Sequence, residues 1–382
     1  MICGGFATAL LAVVTSVSAF EFDGAERQTI LSLSIDRMGE PLPDPSNQYA
    51  TSRAAAAFGA TLFFEPRLSG DGRVSCATCH QQDRQFQDGR PLGRAAGLTD
   101  RRTMPLAGVA YSRWQFWDGR ADSLWAQALS PLEDPREHAA DRTALVHFVA
   151  GHMRDRYQRI FGPLPDLSAL PPHASPLGSD VERAAWQAMP QAVRDQVDAV
   201  FANLGKALAA FVRSIRHTET RFDRFARFVE TGAAPSGDAI LNETERMGLK
   251  LFAGKAGCIT CHSGPRFTDD GFHNIGAPQP EGLPPDRGRA GAIERVLADP
   301  FNCLGRFSDA QPDQCIALNS VGGVSMEMEG AFKTPSLRGV ASRPPYMHAG
   351  QLSSLDAVMD RHGGALSGDD KQALIAFLKT LD

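Results

Sequence analysis

Apolar positions recur at three- and four-residue spacing along most of the chain, and the alternation expected of strands is nearly absent. The longest such stripe lies within 181–228, where Val200, Leu204, Leu208, Phe211, Val212 and Ile215 share one helical face. It predicts a long helix or a pair of helices completing the first of two domains. Two shorter stripes, at 54–64 and 243–252, echo each other: each carries a glycine (Gly59, Gly248) followed three residues on by Leu-Phe. A last helix is predicted to start at Ser367, where Ser-x-x-Asp matches a capping box. The stretches 163–179 and 277–289 are rich in Pro and Gly and read as loops, and 231–238 reads as a linker. A mainly α chain of two helical domains follows, 20–232 and 233–382.

The 382 residues suffice for two domains with cores of their own. A formal charge of −5 gives a nucleic-acid partner no electrostatic support, and no long basic run suggests an anionic membrane surface. The first nineteen residues carry no charged side chain; Leu10 to Val14 is apolar and Val17-Ser18-Ala19 resembles a cleavage site. Residues 1–19 therefore read as a secretory signal peptide, though without the usual basic start. No further apolar segment of spanning length follows. The mature protein is expected in the periplasm, exported and not inserted in the membrane.

Of the seven cysteines, Cys3 falls in the leader. Cys76, Cys79 and His80 form one CxxCH motif, and Cys258, Cys261 and His262 form a second. Two thiols so spaced add across the vinyl groups of a haem and deliver the next histidine to its iron. A zinc site would want more Cys or His nearby, and neither motif has a second CxxC. Two covalently bound haem c groups are expected, with His80 and His262 as proximal ligands. Cys303 and Cys315, which flank a short loop rich in Asp, Pro and Gly, are expected to form a disulfide in an oxidising compartment.

The halves also correspond further on. Phe116-Trp117-Asp118-Gly119-Arg120 leads to Ser123-Leu124, and Tyr346-Met347-His348-Ala349-Gly350 leads to Ser354-Leu355. Seven residues beyond Leu355 stands His362; seven beyond Leu124 stands Pro131, which cannot bind metal. The second haem is thus expected to be bis-histidine and the first open at its sixth position. An open ferric haem splits peroxide with the help of a proton-moving group and a hydrogen-bonding neighbour. Glu137 is assigned as the acid–base and Gln127 as its polar neighbour, although by residue type alone Glu133 is an equal candidate for the first role. An electron carrier with two closed haems would need a histidine such as His138 or His147 to fold back onto the first iron.

These motifs, together with Val74-Ser75 before the first CxxCH and Pro344-Pro345 before Tyr346, resemble the bacterial di-haem cytochrome c peroxidase and MauG superfamily. The resemblance spans nearly the whole mature chain. It implies two cytochrome c-like helical domains, each with one covalently attached haem c, and a calcium ion and a tryptophan between the haems. Trp117 matches that tryptophan. For calcium, Thr103 stands for the family asparagine, with backbone oxygens supplied around Arg343 and Pro345. His348 is expected to support the second haem without binding its iron.

Two departures from the family pattern bear on function. Peroxidases hold the second haem with methionine and MauG holds it with tyrosine, where this chain has His362; Met359 is three residues out of register. The loop 81–102 contains no histidine to cap the first haem. The bis-histidine pattern, together with Asn302-Cys303-Leu304-Gly305-Arg306 and Cys315, is most similar to the methanobactin-associated MbnH branch. It implies a peroxidase that uses hydrogen peroxide to form a high-valent di-haem state and oxidise a residue, a tryptophan, on a periplasmic partner protein. One alternative is a scavenger that reduces peroxide with electrons from a small cytochrome. The other is a non-catalytic electron-transfer cytochrome.

Overall fold

A computed structural model describes residues 22–168, 170–232 and 237–382. The expected leader with Cys3, and part of the expected linker, lie outside the described residues. In chain order the helices are α1 (Gly24–Leu33), α2 (Arg53–Phe63), α3 (Cys76–Cys79), α4 (Leu124–Glu133), α5 (Arg142–His152), α6 (Arg154–Phe161) and α7 (Asp180–Ala188). They continue with α8 (Gln191–Val212), α9 (Arg221–Thr231), α10 (Glu243–Ala253), α11 (Arg289–Ala298), α12 (Ile316–Asn319), α13 (Leu355–His362) and α14 (Gly368–Leu378). Two-residue strands β1 (Phe272–His273) and β2 (Phe332–Lys333) pair antiparallel. Among the described residues no helix is long and apolar enough to cross a membrane.

The helices begin where the sequence offers a side-chain oxygen. Ser52, Ser123, Asn242, Ser354 and Ser367 each accept a hydrogen bond from the backbone N–H three residues on. Ser367 caps the last helix as expected; among the described residues, 163–179 and 277–288 hold no strand or α-helix, while Arg289, expected in the second loop, opens α11.

Each half is built on one close helix crossing. In the first, α2 lies across α8, and a Cβ added at Gly59 would stand 1.9 Å from the Ala207 carbonyl oxygen. In the second, α10 lies across α14, and a Cβ at Gly248 would stand 1.9 Å from the Ala373 carbonyl oxygen. Only glycine permits backbones to approach so closely. The first core then closes with Phe58, Leu62, Trp125, Leu129, Leu204 and Leu208. The second closes with Phe222, Leu249, Phe252, Phe267, Ile375 and Phe377.

The cores do not divide the chain at residue 232. Ile30 and Leu33 of α1 and Phe222, Phe225 and Phe228 of α9 belong to the second core. The stripe in 181–228 is broken into α7, α8 and α9, and only the first two serve the first core. A buried ion pair draws α9 across: Arg338 donates to both Asp223 oxygens, at 2.7 and 2.9 Å, and Ile35 N–H donates to the same carboxylate at 2.8 Å. In return Phe301, from the second half of the sequence, packs into the first core against Trp125 and Phe201. Cys303 and Cys315, a little further on, form the expected disulfide. The halves therefore exchange segments.

The duplication is visible in backbone geometry. One constant offset relates the bridge Gln115–Ala121 to Tyr346–Leu352, Phe116 (φ 66°) to Met347 (φ 70°), and Gly119 (φ 72°) to Gly350 (φ 64°). The same offset relates the helix caps Ser123 and Ser354, and Pro131 and His362. Replacing Gly59 or Gly248 by Ala should force the crossing helices apart and cost about 1–3 kcal/mol each, as overpacking does. Chemical denaturation of the variants checks this; unchanged stability would mean that the helices can separate freely.

Candidate active site

Each CxxCH motif closes a short helical turn and hands its histidine to a fixed acceptor. His80 N–H donates to the Cys76 carbonyl at 2.9 Å, and its Nδ1 lies 2.9 Å from the Phe86 carbonyl oxygen. His262 N–H donates to the Cys258 carbonyl at 2.9 Å, and its Nδ1 lies 3.0 Å from the Phe267 carbonyl oxygen. Both acceptors sit at positive φ, 58° for Phe86 and 55° for Phe267, which turns their carbonyls back to the imidazoles. With Nδ1 engaged as a donor, each Nε2 is left as the metal-binding atom. The four motif cysteines are unpaired. Burial pushes the Cys76 thiol up to about 12 and that of Cys79 to about 11, so both stay protonated. Free thiols beside an oriented imidazole are the donor set that covalent haem requires.

Beside His80 opens a cavity of about 660 Å³, and Trp117, Gln127, Pro131 and Glu137 all line it. The distal residues converge there because the chain turns back just after α4. Beyond Pro131 and the last turn of α4 the chain reverses, and His138 N–H donates back to the Pro131 carbonyl at 3.0 Å. The reversal carries Glu137 to the cavity. It is clasped from the other side, since Gly97 N–H donates to the Arg136 carbonyl at 2.7 Å and Ala96 N–H to the Glu137 carbonyl at 3.2 Å. Burial, and then the nearby Asp134 carboxylate, push the Glu137 carboxyl up to about 7, against the opposing pull of Arg120 and Arg136. A carboxyl poised there can both take and give a proton near neutral pH.

The rival acid is committed elsewhere. Glu133 accepts from Arg142 Nε at 3.0 and 3.1 Å, from Arg142 Nη2 at 2.7 Å and from Ser175 Oγ at 2.5 Å, and it does not line the cavity. His138 directs Nε2 to Cys76 Sγ at 3.8 Å, and His147 Nε2 lies 3.3 Å from the Pro171 carbonyl oxygen.

In the second half the His262 and His362 rings lie with centroids 6.5 Å apart and planes at 80°. Two metal–nitrogen bonds of about 2 Å and the two ring radii add to roughly 6 Å, so an iron fits between them. Met359 is instead buried in the second core. His348 lines the cavity, stacks on Phe332 with centroids 3.7 Å apart, and meets Gln351 through Nε2 at 3.2 Å.

Trp117 joins the halves. Its Nε1–H donates to the Arg102 carbonyl at 3.1 Å, and its own carbonyl accepts from Lys333 N–H in β2 at 2.7 Å. Around it runs an ion-pair chain that sequence reasoning missed. Arg101 pairs with Asp118 at 2.6 Å and with Asp286 at 2.7 Å, while Arg120 pairs with Asp118 at 3.1 Å and lies over the Phe116 ring. Asp118 and Arg120 pair within the Phe-Trp-Asp-Gly-Arg block, so the motif carried a signal, but Asp286, which extends the chain through Arg101, is remote in sequence. The residues of the expected calcium set have other partners. Thr103 lines the cavity, while the carbonyls of Arg343 and Pro345 both accept from the side chain of Arg102.

Residues 53–231 match the family model described as di-haem cytochrome c peroxidase. The methylamine utilization protein MauG of Methylorubrum extorquens is 34% identical over all of this chain and 92% of its own length. Among solved structures, a MauG-like protein associated with microbial copper homeostasis is 26% identical, with a TM-score of 0.59 over 89% of this chain and 93% of that one. The di-haem peroxidase BthA of Burkholderia thailandensis shares the fold, with a TM-score of 0.63, 23% identity and 86% of each chain covered. The helical repeat, the paired haem-binding motifs and the distal Gln–Pro–Glu constellation thus have one common explanation: the chain belongs to the di-haem cytochrome c peroxidase and MauG family of oxidoreductases.

Proposed function

We propose that the protein is a periplasmic di-haem peroxidase that uses hydrogen peroxide to oxidise a residue, a tryptophan, on a partner protein too large to enter the cavity. The observation that carries this reading is the contrast between equivalent positions. At 362 an imidazole faces His262, whereas at 131 a proline stands in a cavity with Glu137 and Gln127. Cys76 and Cys79 would hold one haem with His80 as its ligand; Cys258 and Cys261 would hold the other between His262 and His362. When bound, the haems supply peroxide activation and the storage of two oxidising equivalents.

The chain's own residues supply the proton chemistry and the route. With a haem in place, the Glu137 carboxylate would take a proton from one peroxide oxygen and return it to the other, so that the departing oxygen leaves as water. The Gln127 amide donates to the charge that develops on the oxygens during cleavage. Trp117 lies between the halves with both its indole N–H and its backbone carbonyl fixed, a suitable relay for electrons between them. If His362 holds the second haem where other members use methionine, that iron's potential would be lower. This favours the retention of oxidising equivalents over their rapid repayment by a high-potential cytochrome.

Electron paramagnetic resonance of the oxidised protein tests the reading. One high-spin and one low-spin bis-histidine signal are expected, both lost on adding one equivalent of peroxide. Two low-spin signals indifferent to peroxide would make the protein an electron carrier. Fast steady-state peroxide consumption with a reduced small cytochrome would favour the scavenger.

Glu137→Gln should slow the reaction with peroxide by about 10²–10⁴-fold with both haems still attached. In the unsubstituted protein the rate should fall as pH drops through about 7, because protonation removes the carboxylate base. The glutamine variant should lack this inflection, and stopped-flow absorbance across pH would detect both effects. His362→Met should raise the reduction potential of the second haem. A potentiometric titration showing no change would remove His362 from the ligand set.

A further inference from the structure

We propose that the Arg102 guanidinium is the resident cation of the junction between the two halves, and that it makes this protein independent of calcium. Arg102 is buried. Its Nη1 donates to the Pro345 carbonyl, and its Nη2 donates to the Arg343 carbonyl at 3.1 Å and to Gln87 Oε1 at 3.0 Å. These two carbonyls are the backbone oxygens at which the sequence resemblance puts a calcium ion.

A calcium ion needs six to eight oxygens at about 2.3–2.6 Å. Here the same oxygens already face donors on a positive group, so a divalent ion would meet occupied lone pairs and a like charge at contact range. The guanidinium is planar, keeps its charge at any pH the protein survives and spans more than one acceptor. It can therefore do by covalent attachment what a bound ion does by affinity. Asp88, within electrostatic reach of the guanidinium, supplies the opposing charge.

The position of Arg102 extends this role to Trp117. Its backbone N–H donates to the His348 carbonyl at 2.8 Å, and its carbonyl accepts from Trp117 Nε1 at 3.1 Å. One residue thus holds the segment 343–348 with its side chain and its N–H, and holds the indole with its carbonyl. Arg102 is a positioning residue for the tryptophan that joins the halves.

The test uses the protein with both haems attached. After dialysis against calcium and then buffer, elemental analysis should find no stoichiometric calcium in the unsubstituted protein. Calorimetric titration with calcium chloride should show no binding heat, and a chelator should leave the melting temperature unchanged. Arg102→Asn frees both carbonyls and should lower the melting temperature. Calcium, but not magnesium, should then restore part of the loss, and Arg102→Lys should fall between the two. One tightly held calcium per unsubstituted chain, or a melting temperature lowered by chelator, would overturn the proposal. So would an asparagine variant that is undiminished, or one whose loss calcium does not repair. If the asparagine variant fails to fold, the measurements on the unsubstituted protein still decide.

Discussion

Both sites depend on one hydrogen bond made twice, from a histidine Nδ1 to a backbone carbonyl five or six residues on. At His80 the acceptor is Phe86 and at His262 it is Phe267. Without it either imidazole is free to rotate, and neither nitrogen is marked for metal. The acceptor reaches back only because its residue adopts φ near +55°, a conformation that a bulky side chain enters only when its surroundings insist. For Phe267 they insist strongly: its ring is fully buried against Phe222, Phe252 and Phe377. Phe86 packs against Phe63 of α2 in the first core. The glycine crossings that set the two cores are therefore connected, through a phenylalanine in each, to the direction of the proximal ligand.

From this shared base the halves diverge at the end of one helix. The α13 helix runs to His362, so the second site receives an imidazole. The equivalent α4 carries Pro131, which offers no ligand and has no N–H of its own to extend a ladder. The Pro131 carbonyl is used by the returning chain, which brings Glu137 into the cavity. On the proposed reading, a single difference in a duplicated register would both withhold a ligand and bring a proton-moving group to the cavity.

Local features were legible in the sequence and distant ones were not. The caps, the paired glycines, the two CxxCH motifs and the Pro131/His362 contrast are all encoded within a few residues or by a constant register. The choice between Glu137 and Glu133 was not, because it turns on Arg142 and Ser175, which reach Glu133 from other segments. The assignment of α1 and α9 to the second core was equally hidden. The stripe of α9 looks the same whichever core it enters, and Asp223 is committed to the second by Arg338, more than a hundred residues on. The surroundings of His348 were hidden for a related reason: its motif is the counterpart of 116–120 in the first half, but its ring stacks on Phe332 of β2, which the motif does not announce. Motifs identify chemistry; which half a side chain serves is decided by packing across the interface.

That interface is where the two haem-binding halves become one device. Trp117 is held from below by Arg102, whose side chain grips 343–345, and from the other side by Lys333 of β2. Arg101, one residue before, bridges Asp118 beside the indole to Asp286 in the long loop 277–288. Adjacent arginines thus send one guanidinium to backbone carbonyls and the other to carboxylates, and both span the halves. Arg101 is largely shielded from solvent, so its pairs are screened far less than surface ion pairs. A relay between two redox sites works only while its distances to both are fixed. If Trp117 is that relay, as proposed, its placement rests on backbone bonds on either side of the indole and on the Arg101 ion pairs beside it.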